Sequence, residues 1–263
     1  MPVPPAQLSG TLISQGRYWA TTEELEELTG QRGPALRSSL RRLRDAGRVF
    51  SPARGLYVFV PPEYWSWRVV PAEWFIDPMM DHLSREYYVS FLNAAGYHGA
   101  SHQAPQTYTV MVDQQRRPLE DRDIERVRLR FISSHTTAEM PTQQLTAHTG
   151  YVTIATPETT MVDLAWRPRA GGGISNVATV LKEIEGLDSE QLARVAALRP
   201  RAVARRLGWL IENYRPELDT YWLRVIARPE EGEPAALVPS GSPRGHRSRE
   251  WGLRINARVE PDV

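Results

Sequence analysis

The forty residues from Thr21 to Val60 constrain this chain more than any other stretch. They read TTEELEELTGQRGPALRSSLRRLRDAGRVFSPARGLYVFV. Thr21 is placed to cap a helix, with Glu24 three residues on to complete a capping box. Leu25 and Leu28 supply a short apolar face, and Gly30 suits a helix C-terminus. Pro34 opens a second helix, where its missing N–H costs nothing. Leu36, Leu40 and Leu43 fall on one face at helical spacing, and Gly47 ends the run. Val49-Phe50 and Leu56–Val60 are β-prone runs around a Pro/Gly turn, which predicts a hairpin. Ala6 to Tyr18 carries Leu8, Leu12 and Ile13, enough for one more helix. Helix, helix, turn, helix and hairpin in that order outline a winged helix-turn-helix, a module whose last helix lies in a DNA groove.

Charge sharpens that outline. Arg32 to Arg54 holds seven arginines against one acid, Asp45, while the whole chain carries only +1. The balance is local. Taken alone, a basic helix face is more often merely solvated. Here the cap, the turn, the one-sided arginines and the hairpin agree, and consistency across levels favours binding. Arg37, Ser38, Arg41 and Arg44 are the candidates for base edges, since Arg to guanine is the commonest specific contact. Arg32, Arg48 and Arg54 are the candidates for phosphates.

With 263 residues the chain has room for two domains. The expected division is 1–62 for the winged module, 63–72 as linker and 73–263 for a larger domain, because Pro61-Pro62 cannot continue a strand ladder. Trp65, Trp67 and Trp74 are expected to anchor the linker. There is no Cys, which excludes disulfides and thiolate zinc sites. No apolar run reaches the ~18 residues of a membrane span, and Met1-Pro2-Val3-Pro4-Pro5 is not a secretory signal. The expected setting is cytoplasmic. Lys182 is the one lysine among 32 basic residues, so any lysine-dependent mechanism has a single candidate.

Beyond the linker the reading is of mixed helices and strands, an α+β domain. A helix is expected from Asp77 to about Asn93, then strands at Thr107–Val112, Val127–Ile132 and Tyr151–Ala155. In the second of these, Val127, Leu129 and Phe131 alternate with Arg126, Arg128 and Arg130. Residues 113–125 read as a loop. Thr156-Pro157 opens a helix that buries Met161 and Leu164. Arg169–Gly173 reads as a flexible connection, followed by helices near 174–185, 188–197, 200–213 and 219–227. Residues 229–243, acidic and then Pro/Gly/Ser-rich, read as a mobile loop. Trp251 to Val259 alternates and is expected to return as a strand to the main sheet.

No catalytic set stands out. Asp77, Asp81, His82, Glu86, His98, His102, His135 and His148 offer metal-ligand chemistry, but ordinary i,i+4 pairing explains Asp81/Arg85 and His82/Glu86. Lys182 lies in an expected helix, not after an acidic pair on a strand as a nuclease needs. Gly171-Gly172-Gly173 lacks the strand and the lysine of a phosphate loop. Asp163, inside an apolar helix, is expected to be buried and partnered by an Arg or a helix end. Arg199, Arg201, Arg205 and Arg206 form a candidate second basic surface, with Arg244, Arg247 and Arg249 near the last strand; nucleic acid or an acidic partner suits such a surface. No metal and no cofactor is expected.

The order of parts, with Tyr87-Tyr88-Val89-Ser90, Tyr97-His98-Gly99-Ala100, Ile154–Leu164 and Trp251–Asn256, resembles the AbiEi antitoxins of type IV toxin–antitoxin and abortive-infection systems. The resemblance covers nearly the whole chain through packing and turn residues. It implies an antitoxin that is not an enzyme. Such a protein represses its own operon by binding promoter repeats through the winged domain. Its C-terminal domain counteracts a nucleotidyltransferase toxin, and the type IV class implies action without a stable toxin complex. Either a monomer in solution or a dimer on DNA fits. Two other readings stand beside it: a nucleic-acid-processing enzyme delivered by a winged domain, and a plain ligand-responsive repressor.

Overall fold

The computed structural model describes residues 2–101, 105–114 and 117–262. In chain order its helices and strands are α1 (Leu8–Ser14), β1 (Trp19–Thr21), α2 (Thr22–Thr29), α3 (Gly33–Asp45), β2 (Val49–Ala53), β3 (Leu56–Phe59), α4 (Ile76–His82), β4 (Tyr87–Val89), α5 (Phe91–Tyr97), β5 (Thr107–Asp113), β6 (Arg122–Ile124), β7 (Val127–Ser134), β8 (Thr142–Ala147), β9 (Gly150–Ala155), α6 (Pro157–Trp166), α7 (Ile174–Glu183), α8 (Ser189–Ala196), α9 (Arg201–Tyr214), α10 (Tyr221–Ala227), β10 (Ala235–Ala236), β11 (His246–Ser248) and β12 (Leu253–Ile255). Three sheets form, ordered β1-β3-β2, β6-β7-β5-β4-β9-β8 and β10-β12-β11. The fold is α+β. No helix among the described residues is long and apolar enough to cross a membrane.

The chain divides into two compact units. The first runs to Tyr87 and includes Gln106–Ser133 and Gln144–Thr153; the second takes Tyr88–Pro105, Ser134–Gln143 and the chain from Ile154 on.

In the first unit the N-terminal module is built as its sequence demands. Glu24 N–H donates to Thr21 Oγ1 at 3.3 Å and Thr21 N–H to Glu24 Oε2 at 2.8 Å, a complete capping box. Gly30 ends α2 in the left-handed conformation, φ 67°. The unexpected element is β1, which pairs antiparallel with β3 and makes the hairpin a three-stranded sheet. Leu8, Leu12, Ala20, Leu25, Leu36, Leu40, Val49 and Phe59 form one closed core. At roughly 1.5–3 kcal/mol per fully buried aliphatic side chain, this core carries the module.

The second unit is organised on α6, buried from Glu158 to Ala165 and packed by α5, α7, α8 and α9. A helix buried on every side has to satisfy its polar groups, Glu158, Thr159, Thr160 and Asp163, inside the core. Thr156 caps it, accepting from Thr159 N–H at 3.3 Å, and Asp188 caps α8 by accepting from Gln191 N–H at 2.7 Å.

Several expectations are overturned. The helix expected over Asp77–Asn93 is α4, then β4, then α5. Ser84 at φ 51° breaks the first helix, and Tyr87-Tyr88-Val89 is β-prone. The loop 113–125 contains β6. β8 carried no readable alternation because most of it is exposed and polar. Arg169–Gly173 is no flexible connection: Pro168–Gly171 is a 3-10 turn, and a Cβ on buried Gly171 would stand 2.4 Å from Leu164. The mobile loop 229–243 includes β10 and the fully buried Leu237. The terminal strand joins β10 and β11, not the six-stranded sheet. Its register is fixed by Trp251, whose ring lies against Gly208 with no space for a Cβ and whose Nε1–H donates to Glu212 Oε2 at 2.6 Å.

Candidate nucleic-acid interface

Helix α3 turns Leu36, Ser39 and Leu40 inward. The opposite surface exposes Arg37, Ser38, Arg41 and Arg44, and Arg32 is exposed at the N-cap. Among the described residues, only Arg41 of the four candidates for base edges has a carboxylate within 4 Å, that of Asp45 at 3.8 Å, and both ends of that pair are open to solvent. Such a pair is worth little and yields easily to a stronger anion. Ser39 is spoken for: its Oγ donates to Gln31 Oε1 at 2.9 Å, which ties α3 to the turn before it.

The C-terminal end of α3 is held by a residue that no sequence pattern singled out. Arg68, at φ 60°, donates from Nη2 to the carbonyls of Arg44 and Asp45 at 3.0 and 3.3 Å, answering acceptors a helix end leaves open. Arg48 is half-buried, with its guanidinium 3.4 Å from the ring centroid of Trp65. Trp65 and Trp67 are 37% and 49% exposed, whereas Trp74 is buried. Arg126 lies over Trp67 at 5.9 Å. A run of aromatics followed by Arg68 was the only signal in the sequence for this surface.

The hairpin β2–β3 is short, and its backbone is anchored. Gly55, at φ 87°, makes the turn, and its carbonyl accepts from Thr22 N–H at 2.9 Å. His82 Nε2 donates to the Arg54 carbonyl at 2.9 Å, and Arg122 Nη1 donates to that of Pro52. Only the Arg54 side chain projects freely. Beside the end of α3 lies a cavity of about 450 Å³ lined by Arg44, Phe50, Arg68, Asp123 and Glu125 among others.

The residues singled out for metal are dispersed into other tasks. His82 holds the wing turn. His98 Nε2 bonds the Ala155 carbonyl at 2.8 Å. His148 stacks on Trp74, centroids 3.9 Å apart, and bonds Tyr18 Oη at 3.0 Å. Asp77 accepts from Tyr87 Oη at 2.8 Å, and burial pushes its carboxyl pKa upward. His102 lies outside the described residues. Among the described residues no group of three or more His, Asp or Glu is arranged to hold an ion.

The second basic surface is corrected. Arg199, Arg205 and Arg206 are interior, and only Arg201 is exposed, paired with Glu231. Arg199 Nη2 donates to Asp163 Oδ1 at 2.7 Å, with Asp163 fully buried. Asp163 Oδ2 also accepts from Ser90 Oγ at 2.7 Å and Tyr88 Oη at 3.0 Å. Burial pushes the Asp163 pKa up, while Arg199, Ser90 and Tyr88 pull it down. Arg199 reaches Ser134 and Thr136 as well and stacks on Trp166 at 4.1 Å. Arg205 donates to five carbonyls, those of Ala227, Arg228, Glu231, Glu233 and Gly252. Arg206 donates to the Ala165 and Ala236 carbonyls, and burial alone pushes its guanidinium pKa down to about 10. Arg199 ties the start of α9 back to earlier elements, Arg205 fastens α9 to the segments that follow, and Arg206 bonds on both sides. The sequence showed their charge and not their depth.

Comparison with known proteins adds the following. No curated protein matches the chain. The crystal structure of the RV2827C protein from Mycobacterium tuberculosis matches with a TM-score of 0.69 at 16% identity, covering 95% of this chain and 91% of that one. At that identity the likeness concerns the fold. Residues 88–213 match the family model of the AbiEi antitoxin C-terminal domain. Tyr88, Ser90, Asp163 and Arg199, the members of the buried network, all lie within that span, which is similar to the AbiEi antitoxin C-terminal domain.

Proposed function

We propose that the chain is an antitoxin that also represses its own operon, with the winged module on promoter repeats and the domain beyond the linker counteracting a nucleotidyltransferase toxin. The observation that carries the DNA half is the division of α3. One face is sealed by Leu36 and Leu40 in the module core, and the other leaves Arg37, Ser38, Arg41 and Arg44 open to solvent. A helix so divided, in a three-stranded winged module, suits major-groove insertion. Arg32 at the start of α3 and Arg54 at the wing turn then bracket the groove as phosphate contacts. Arg48, stacked on Trp65, reaches a phosphate only from the edge of that pair.

The division of labour at residues 1–62 and 73–263 belongs to the same proposal, and so does the cytoplasmic setting. The match of residues 88–213 to the AbiEi antitoxin domain supports a partner toxin, and the resemblance of nearly the whole chain supports its nucleotidyltransferase class. A mobility-shift titration on the duplex upstream of the gene tests the DNA half. Arg41→Ala should weaken binding by about 1–3 kcal/mol, a bidentate base contact. Undiminished affinity in single variants of all four groove-facing residues rejects the assignment. Growth rescue tests the other half. The full chain with Arg37→Ala and Arg41→Ala should still neutralise the neighbouring toxin, and failure while the protein is folded and abundant rejects the division.

A further inference from the structure

The small sheet of the second unit carries a like-charge pair that no carboxylate among the described residues answers. In the antiparallel register of β11 and β12, Arg247 stands directly opposite Arg254. Residues directly opposite share a face, and like charges there repel. The flanking pairs set the faces: Leu253 and Ile255 are buried, so Arg247 and Arg254 lie on the other side. Across the parallel strand β10 the position beside Arg254 is Ala236, whose methyl leaves room.

Among the described residues, seven of the unit's fifteen arginines lie within 4 Å of a carboxylate, as in Arg194–Glu190, Arg215–Glu217 and Arg258–Glu260, and Arg205 and Arg206 are spent on carbonyls. Arg244, Arg247, Arg249 and Arg254 stand together at one hairpin. None has a carboxylate within 4 Å among the described residues, and the Arg254 Nε is buried without a hydrogen-bond partner. The nearest acid in sequence, Glu250, is taken by Arg224 at 3.0 Å. From Pro239 to Arg249 there are three arginines and a histidine and no acid.

The hairpin is nonetheless built, not loose. Asn256 donates to the Val238 and Ser242 carbonyls and accepts from Val238 N–H. Gly245 runs so close to β12 that a Cβ would stand 2.3 Å from the Ile255 carbonyl. Two arginines held side by side by the strand register, with no carboxylate among the described residues to answer them, match the bidentate demands of a phosphoryl group.

We infer that the open face of β11–β12 is a binding site for a phosphate-bearing ligand, held between Arg247 and Arg254 and flanked by Arg244 and Arg249. The site is independent of the winged module and of the DNA reading. Phosphoryl oxygens supply the charge that relieves the pair, whether they come from a polynucleotide backbone or from a free nucleotide.

The test is thermal melting and calorimetry of the full chain with inorganic pyrophosphate, against sodium chloride at matched ionic strength. Pyrophosphate should raise the melting temperature of the wild type by several degrees. Arg247→Gln should lose most of that shift and, without pyrophosphate, melt no lower than wild type because it removes the repulsion. Arg194→Gln, an exposed arginine elsewhere in the same unit, should keep the full shift. Should Arg254→Gln misfold, Arg247→Gln still decides, since its side chain is solvent-exposed. Two arms assign the source: at least tenfold tighter binding of a twelve-nucleotide strand than of AMP supports a backbone ligand, and equal binding supports a free nucleotide. An equal shift in wild type and Arg247→Gln overturns the inference. So does no shift in either, or a polyglutamate peptide stabilising the wild type where pyrophosphate does not.

Discussion

Arg37 and Arg41 on α3 are opposites of Arg205 and Arg206 on α9. Both helices are amphipathic and arginine-rich. On α3 the arginines project outward and hold almost nothing of the chain itself. On α9 they turn inward and bind carbonyls of α6 and of the segments that follow. The difference is set by what each helix must cover. α3 faces its core with Leu36, Ser39 and Leu40, whereas α9 lies against open carbonyls at Ala165, Ala227, Ala236 and Gly252, and a guanidinium's fan of donors suits such carbonyls. Arginine content therefore marks a binding surface only where the chain leaves the donors unused.

The largest expected contrast is in stability. Arg199→Ala leaves Asp163 buried without its partner and should cost about 3–5 kcal/mol in urea unfolding. Arg37→Ala, on an exposed surface, should stay within about 0.5 kcal/mol. Comparable destabilisation in the two would break the distinction between inward and outward arginines. Next comes the cap: Thr21→Ala removes the acceptor for Glu24 N–H and should cost about 1 kcal/mol. Chemical-shift changes confined to α2 and its neighbours would separate that local effect from general unfolding.

The smallest effect is alkaline. Burial first, and then the Asp163 charge, push the Tyr88 phenol above its ordinary value; Tyr87 is raised by burial too. An unfolded tyrosine ionises near ~10. Below that pH both states keep the proton and Tyr88 adds no pH dependence. Above it the unfolded chain releases a proton that the folded chain retains, so stability is lost as pH rises. Tyr88→Phe should flatten the decline above that point in a pH series of melts. An unchanged slope would show that the phenol is not held in the folded state.

Legibility followed locality. The capping box of α2, the Pro34 start of α3, the Thr156 cap and the burial of Asp163 rest on near neighbours or on one apolar helix, and each was readable. β1, β6 and β8 were not: β1 and β6 are three residues each and β8 is mostly exposed and polar, and the partner of β1 lies far along the chain. Tyr87-Tyr88-Val89 reads as helix because Met79, Leu83 and Tyr87 keep helical spacing; Ser84 and the bonds of Arg85 to Asp113 override that period. At the candidate site, the exposed arginines of α3 were legible from Leu36 and Leu40 alone. The stacking of Arg48 on Trp65 and the reach of Arg68 to the end of α3 depend on a turn whose geometry no residue pattern announced. Depth was the other hidden quantity, since Arg201 and Arg205 look alike in sequence and differ wholly in burial.

The most direct measurement is the salt dependence of promoter-duplex binding by two forms of the full chain. One carries Arg37→Ala, Arg41→Ala and Arg44→Ala together, and the other carries Arg201→Ala, the exposed member of the α9 group. The triple variant should bind at least a hundredfold more weakly. Since these three are assigned to base edges, its log–log salt slope should stay near that of the wild type, with the slope loss of about 0.9 per contact reserved for Arg32 and Arg54, while Arg201→Ala binds as wild type. Wild-type affinity in the triple variant, or an equal weakening in Arg201→Ala, would contradict the assignment of α3 as the DNA-contacting face.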